Sequence, residues 1–265
     1  MGFDQSPRWE LYDHLLASVP EDAVAAEAAF APYWAAILSS RGGTGLAHIL
    51  PHPQNDTPAP EPGSIIGRPL RELARGLKSW DETETAIGLA AVTASANSAL
   101  LAAGLSPASP ESGEAAFEYY LELARGRKVA VIGHFPGLDG LRKAASEFYI
   151  LERQPEKGDL PDTAAEYLLP DMDLVFITGS SLVNKSLPRL LELAREAHTG
   201  LVGPSVPLLP SLFKFSLSSL SGTVFHDFKT IAKAIADGKT ASLFKYGGFR
   251  VNLGSDFQLP SVNLS

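Results

Sequence analysis

The chain has no cysteine among its 265 residues and only two methionines. The absence of thiols excludes disulfides, thiolate metal ligands, iron–sulfur clusters and a cysteine nucleophile. It suits a cytoplasmic protein, which is the location we expect. Residues 1–10 hold neither a basic segment nor an apolar one, so we predict no signal peptide.

Basic residues are also scarce: 22 Lys and Arg stand against 30 Asp and Glu, a formal net charge of −8. Nucleic acids and anionic membranes attract basic surfaces, so we expect neither as the main partner. Strongly apolar runs long enough to span a membrane are lacking too. The uncharged stretch 85–110 is mainly Ala, Ser and Thr, which predicts a buried helix packed through alanines.

Residues 1–106 have the pattern of a small α+β unit. Three β-rich runs predict strands there: 24–30, 33–39 and 44–49. Asp81-Glu-Thr-Glu84 resembles a capping box that opens the long alanine-rich helix. The Pro- and Ser-rich segment 105–113 is the best linker in the chain. We therefore predict two domains, residues 1–106 and 107–265, with no continuous sheet spanning both.

The second half alternates short apolar segments with helical ones. Four apolar segments end in turns of Gly, Pro, Ser, Thr or Asn: 128–137, 148–155, 173–184 and 201–210. A fifth strand is predicted at 222–226 and a helix at 228–236. The alternation predicts an α/β fold, with a parallel sheet buried on both faces. In such sheets ligands bind beyond the carboxyl ends of the strands, where these turns lie.

The first turn, Gly133-His-Phe-Pro-Gly137, is not the dinucleotide fingerprint G-x-G-x-x-G. The second glycine of that fingerprint lets the backbone approach pyrophosphate, and Phe135 takes its place here. Glu152 ends the next strand about where a ribose-binding acid would lie. An enzyme that uses NAD or S-adenosylmethionine is therefore an alternative hypothesis. A tight structural turn with a buried Glu152 would explain the same residues.

Polar residues also follow the later strands. Thr178, Ser180 and Asn184 precede a helix, which suits an anionic ligand but also a simple helix cap. Without cysteine, a divalent metal would rest on nitrogen and oxygen ligands such as His134 and Glu152. No group of residues shows metal-ligand spacing.

These turns predict one ligand site at the strand ends. Its expected lining is His134, Phe135, Glu152, Asp159, Thr178, Ser180, Asn184 and Ser205, with Arg41 and Asn97 closing it from the first half. We favour binding of a small, partly anionic molecule, with or without catalysis, over metal binding or a nucleotide-dependent reaction. Whether the protein is an enzyme and whether it forms a homo-oligomer stay open.

Segments of the second half resemble a known prokaryotic family. They are Val131–Pro136, Glu152–Pro161, Ile177–Asn184 and Gly203–Pro210, extended by Ser221–Asp227. They look like the "putative heavy-metal chelation" domains, formerly a domain of unknown function. Residues 41–47 and 84–92, with Asn97, are similar to the companion domain that precedes them.

The resemblance implies a Rossmann-like second domain and an enolase N-terminal-like first domain, with a site in the cleft between them. It also implies a ligand that is a metal or a molecule related to metal handling. Lys185 departs from the family, in which a small residue is expected at this turn.

Overall fold

The computed structural model of the chain describes residues 7–50, 58–239 and 243–257. Its α-helices are α1 (Glu10–Ala17), α2 (Leu70–Ala74), α3 (Glu82–Ala102), α4 (Ala116–Tyr119), α5 (Leu121–Ala124), α6 (Asp139–Ala144), α7 (Ala165–Leu168), α8 (Leu187–Leu193) and α9 (Phe228–Ala236). Its strands are β1 (Ala25–Ala31), β2 (Trp34–Ser39), β3 (Thr44–His48), β4 (Lys128–Ile132), β5 (Glu147–Glu152), β6 (Leu160–Pro161), β7 (Leu174–Thr178), β8 (His198–Val202), β9 (Ser219–Phe225) and β10 (Gly248–Gly254). Strands and helices therefore mix as the predicted α/β class requires.

Helix α3 is buried along most of its length. The Asp81 carboxylate caps it by accepting a hydrogen bond from the amide nitrogen of Glu84 at 2.9 Å. By length and composition alone this helix could cross a membrane, but 78% of its apolar window is buried inside the protein. The prediction of a capped, buried, alanine-packed helix is confirmed.

Two glycines, one in strand β3 and one just before it, are in backbone contact with helix α3. A Cβ on Gly45 would lie 1.9 Å from the carbonyl oxygen of Ala90 and 2.3 Å from the amide nitrogen of Ala94. A Cβ on Gly43 would lie 2.2 Å from the amide nitrogen of Ser98. The Gly43 amide instead donates a hydrogen bond to Ser98 Oγ at 3.0 Å. Small residues on both elements are what permit this close approach.

Strands β4 to β9 form a parallel sheet in the order β9-β8-β7-β4-β5-β6, and β10 runs antiparallel to β9. Both faces are covered. Val129 and Val131 of β4 belong to an apolar cluster with α4 and α6, whereas Ala130 and Ile132 belong to one with α7 and α8. The apolar runs of the sequence thus correspond to strands buried on both sides, as predicted.

The prediction that no sheet would span both halves is wrong. The strands of the described residues form one ten-stranded sheet in which β3 follows β9. The join is a single residue pair, Thr44 with Phe225. Strand β8 pairs only with residues 219–221 of β9. The remaining residues on the same edge of β9 are therefore available to β3. Sequence periodicity could not reveal this join, because it reports burial and not the partner strand.

The first three strands are covered by elements of both halves. Helix α3 packs on β2 and β3, while α9 packs on β1 and β2. Phe228 and Ile231 of α9 form a cluster with Trp34, Ala36 and Leu46 on one face of β2 and β3. The residues that alternate with these along the two strands lie on the opposite face, against α3. The first half therefore does not bury its apolar surfaces without the second. The domain boundary near residue 106 stays a prediction.

Candidate ligand-binding site

The strand order reverses at β4, which has β5 on one side and β7 on the other. The turns after β4, β7 and β8 pack tightly there. Gly133 has φ +104°, and a Cβ on it would lie 3.1 Å from Cβ of Thr178. A Cβ on Gly179 would lie 3.0 Å from the carbonyl carbon of Ser205. Ligands of open α/β sheets bind at such a reversal of strand order.

Two adjoining cavities open at this edge. The aromatic chamber, of about 380 Å³, has a lining that includes Trp34, Phe117, Phe135, Phe244 and Arg250. The polar chamber, of about 730 Å³, has a lining that includes Glu152, Arg153, Asp162, Asn184 and Arg189. Four residues line both chambers: His48, His134, Thr178 and Ser180. Both volumes are typical of small-molecule sites.

His134 lies between the chambers and is held by Asp159. Its Nε2 is 2.7 Å from Oδ2 of Asp159, whose side chain is only 7% exposed. The same oxygen accepts a hydrogen bond from the amide nitrogen of Glu156 at 2.8 Å, which fixes the carboxylate. A neutral imidazole that donates from Nε2 keeps its lone pair on Nδ1. Nδ1 is therefore the ring atom that can bond to a ligand or take its proton.

His48 is a site residue that sequence reasoning missed. It ends β3, and its ring centroid lies 4.9 Å from that of Trp34. Its amide nitrogen donates to Oγ of buried Ser205 at 3.1 Å, so β3 is tied to the turn after β8. Burial lowers the pKa of His48, which keeps this imidazole neutral at neutral pH. No local signal marks His48, because its position depends on β3 reaching the parallel strands.

The polar residues after β7 largely cap their own turn. The amide nitrogen of Ser180 donates to Thr178 Oγ1 at 3.3 Å. Asn184 Oδ1 accepts hydrogen bonds from the amide nitrogen and Oγ of Ser186, at 3.0 and 2.7 Å. The structure thus has the cap that was the competing interpretation, and these groups are only partly available to an anion.

Glu152 and Asn184 line the polar chamber, while Phe135 and Ser205 line the aromatic one. Glu152 is half-buried, and its Oε1 accepts a hydrogen bond from the amide nitrogen of Arg153 at 2.7 Å. Asp159 reaches the site through His134. That these residues bind a ligand stays a prediction.

Arg41 and Asn97 do not close the site. Arg41 Nη2 lies 2.6 Å from Oδ1 of Asp22 on the surface, and Arg41 lines neither chamber. Asn97 is fully buried and donates from Nδ2 to the carbonyl oxygens of Thr44 at 2.7 Å and Thr223 at 3.4 Å. It connects α3 to β3 and β9 at the join of the sheet, which is a structural role.

The residues of the two chambers do not fit a metal ion bound by the protein alone. Within residues 7–50, 58–239 and 243–257 no group of three His, Cys, Asp or Glu is placed to hold one. The two predicted ligands leave only His134 Nδ1 and one oxygen of Glu152, since Asp159 engages His134 Nε2 and backbone engages Glu152 Oε1. Protein metal sites normally use three or four protein ligands.

The nucleotide-dependent alternative gains no support from the turn after β4. The ring of Phe135 packs edge-on against that of Phe117, with centroids 5.2 Å apart. It also lies against Gly203, where an added Cβ would be 3.7 Å from the ring. In a dinucleotide-binding fold, a glycine at this position leaves space for the backbone to approach the pyrophosphate. Here the ring of Phe135 occupies that space.

Comparison with known proteins finds relatives over most of the chain. The DUF364 profile, whose description is "Putative heavy-metal chelation", matches residues 115–253, and the DUF4213 profile, with the same description, matches residues 12–96. An uncharacterized protein of Methanocaldococcus jannaschii is 30% identical over 187 residues, 68% of this chain and 70% of its own length.

Two crystal structures of DUF364 proteins of unknown function are similar to this chain. The protein from Desulfitobacterium hafniense has a TM-score of 0.82 at 34% identity, and the match covers 93% of this chain and 98% of that one. The protein from Pyrococcus horikoshii has a TM-score of 0.72 at 19% identity, covering 93% and 99%. The second likeness shows the fold alone.

Proposed function

Because the chain belongs to the DUF364 family, whose description is "Putative heavy-metal chelation", we propose that it binds a small organic molecule across the aromatic and polar chambers. The observation that carries the proposal is the meeting of the two chambers at His134. A buried carboxylate orients this imidazole and leaves Nδ1 for a ligand. Orientation of a histidine by a fixed carboxylate is common where the ring does chemistry or binds tightly.

The chambers differ in what they can bind. A planar apolar group suits the rings of the aromatic chamber, since aromatic pairs gain from offset and edge-on contacts. An anionic group suits Arg153 in the polar chamber, because the guanidinium is only loosely paired there. Its Nη1 lies 3.8 Å from Oε1 of Glu82. Arg189 is a weaker candidate, since Glu166 and Glu192 already hold its guanidinium. The ligand class we infer is thus a partly apolar molecule with an acidic end.

In this proposal the metal-binding groups that the family description implies are carried by the ligand. Since the described residues offer no three-ligand metal cluster, metal-binding groups would belong to the organic molecule and not to the protein. A role in metal handling would then consist of binding such a chelator.

The finer architecture belongs to the proposal as well. We infer that residues 107–265 are Rossmann-like and that residues 1–106 are enolase N-terminal-like. When the parallel strands are numbered along the chain with β4 as the first, their order in the sheet is 3-2-1-4-5-6. This is the strand order of Rossmann folds, which supports the first assignment. A cytoplasmic location rests on the absence of cysteine.

The test is to identify what the protein carries through purification. Wild type and His134→Gln are denatured, and the extracts are analysed for small molecules and for metals. We expect an organic molecule from the wild type and its loss from His134→Gln. The melting temperature of the ligand-free variant should match that of ligand-free wild type, because the Gln amide can still donate to Asp159.

Arg41→Gln is the matched control, since Arg41 is paired with Asp22 outside both chambers. It should carry the molecule as the wild type does. A stoichiometric metal ion without an organic molecule would contradict the proposal, as would equal loading of wild type and His134→Gln.

A further inference from the structure

A third cavity, of about 260 Å³, lies beside the polar chamber and contains Lys185. We call it the lysine pocket; its lining includes Trp80, Glu82, Arg153, Asn184, Lys185 and Ser186. Lys185, Glu82 and Trp80 line neither chamber. The pocket shares Arg153, Asp162, Asn184 and Ser186 with the polar chamber, but its amine is its own.

The amine of Lys185 is fixed by two acceptors. Its Nζ donates to Thr85 Oγ1 at 2.7 Å and to the carbonyl oxygen of Val183 at 3.0 Å. Thr85 is free to accept because its own hydroxyl proton is directed to the carbonyl oxygens of Ser79 and Asp81. A neutral amine has two N–H bonds and one lone pair. With both N–H bonds used, the lone pair takes a direction that neither acceptor occupies, and Nζ lies 5.8 Å from the centre of the Trp80 ring in the same pocket.

Burial makes the neutral amine accessible near neutral pH. It lowers the pKa of Lys185 from 10.5 to about 8, although the nearby carboxylates of Glu82 and Asp81 oppose the shift. Arg153 and Asp162 also face the pocket. Compared with an ordinary lysine, the neutral fraction is larger by roughly two orders of magnitude.

The backbone supports a dedicated position for this side chain. Lys185 has φ +61°, in the left-handed region that residues with a Cβ rarely adopt. Strain of this kind persists where surrounding structure fixes it, and it gathers at functional sites. Here it directs the lysine across to Thr85 on α3.

We propose that Lys185 is a nucleophilic amine that captures a small aldehyde in the lysine pocket as an imine. The pocket volume of about 260 Å³ suits a small aldehyde, and Arg153 suits a carboxylate on the same molecule. We assign the proton transfers to Glu82, because it lines the same pocket, its charge acts on Lys185, and its buried Oε2 accepts no hydrogen bond from any described residue. Lysines with a depressed pKa are the ones that form such adducts.

The step balances without an oxidant or reductant. The Nζ lone pair attacks the aldehyde carbon, and one amine proton passes to the carbonyl oxygen through Glu82. The second amine proton follows the same route and expels that oxygen as water. One N=C bond thereby replaces the C=O bond, and hydrolysis reverses the capture.

Glyoxylate with cyanoborohydride tests the proposal, because reduction of the imine leaves a stable carboxymethyl group on the lysine. Wild-type protein is labelled near neutral pH and mapped by peptide mass spectrometry. Exposed Lys143 and Lys157 serve as internal controls. We expect Lys185 to react at least about tenfold faster than these, since its larger neutral fraction outweighs its lower basicity.

Glu82→Gln is the informative variant. It should slow labelling of Lys185 while Lys143 and Lys157 react as before, with folding checked by circular dichroism. Labelling of Lys185 no faster than the two controls would overturn the proposal. So would labelling that rises only in the pH range of an ordinary lysine. His134 does not line the lysine pocket, but Arg153 lines both this pocket and the polar chamber, so the labelling is done on protein freed of copurified molecules.

Discussion

Gly45→Ala tests the backbone contact between β3 and α3. The new Cβ would lie 1.9 Å from the carbonyl oxygen of Ala90 and 2.3 Å from the amide nitrogen of Ala94. Non-bonded heavy atoms prefer about 3.5–4 Å, so the strand has to move outward by more than about 1 Å. Both opposing atoms are backbone, so no side-chain rotation relieves the clash.

The expected loss of unfolding free energy is about 3 kcal/mol. Overpacking a core by one methyl group costs about 1–3 kcal/mol when side chains adjust, and here only the backbone can. If the strand moves outward, a gap of about 0.5–1 Å opens beside its other residues. Such a gap removes a quarter to a half of the dispersion energy of each contact along the strand. The smaller backbone entropy of alanine returns at most about 1 kcal/mol. Thr44, the preceding residue, makes the only pair that joins β3 to β9 among the described strands, so the displacement extends to the join.

Urea denaturation monitored by circular dichroism measures the change. Gly63→Ala is the matched control, because a Cβ there meets no heavy atom within 4 Å and the backbone is not left-handed. It should alter the unfolding free energy by no more than about 0.5 kcal/mol. If Gly45→Ala were equally mild, the strand and helix would not be in the rigid contact described above.

Three further changes have defined outcomes. Asp81→Ala should cost about 1 kcal/mol of unfolding free energy by removing the cap of α3, whereas Asp81→Asn should keep most of it; equal losses in urea denaturation would argue against capping. The folded-state pKa of Lys185, about 8, lies below the ordinary 10.5, so the unfolded chain binds more protons between these values. Wild type should therefore gain stability over Lys185→Met as the pH rises from 8 to 10.5, and a pH-independent difference would contradict the shift. Glu152→Gln should abolish binding of the copurified molecule with a nearly unchanged melting temperature, because the amide keeps the volume. A destabilised Glu152→Gln with unchanged affinity would show a structural role.

Local patterns were sufficient for most of the element order. The predicted helix 228–236 has the same bounds as α9, and the run 33–39 differs from β2 by one residue. Asp81 caps α3 as expected. Such features depend on neighbouring residues, so their signals survive without knowledge of the tertiary structure.

Long-range pairings were beyond the sequence. The pair of Thr44 with Phe225 joins strands about 180 residues apart and has no pattern of its own. His48 became a site residue through that join, and Asn97 was misread because a polar side chain in an apolar helix can serve either a ligand or backbone carbonyls. His134, Thr178 and Ser180 could be placed because parallel strand ends share one edge.

The packing of α9 on β1 and β2 has a consequence for the nascent chain. A ribosome releases the N-terminal half first, and Trp34, Ala36 and Leu46 then form an apolar face whose partners Phe228 and Ile231 have not been made. From the end of α3 at Ala102 to the start of α9 at Phe228 lie about 125 residues. At roughly 5–20 residues per second, synthesis leaves that face bare for about 6–25 s. We expect this interval, and not the finished fold, to be when the chain most needs a chaperone.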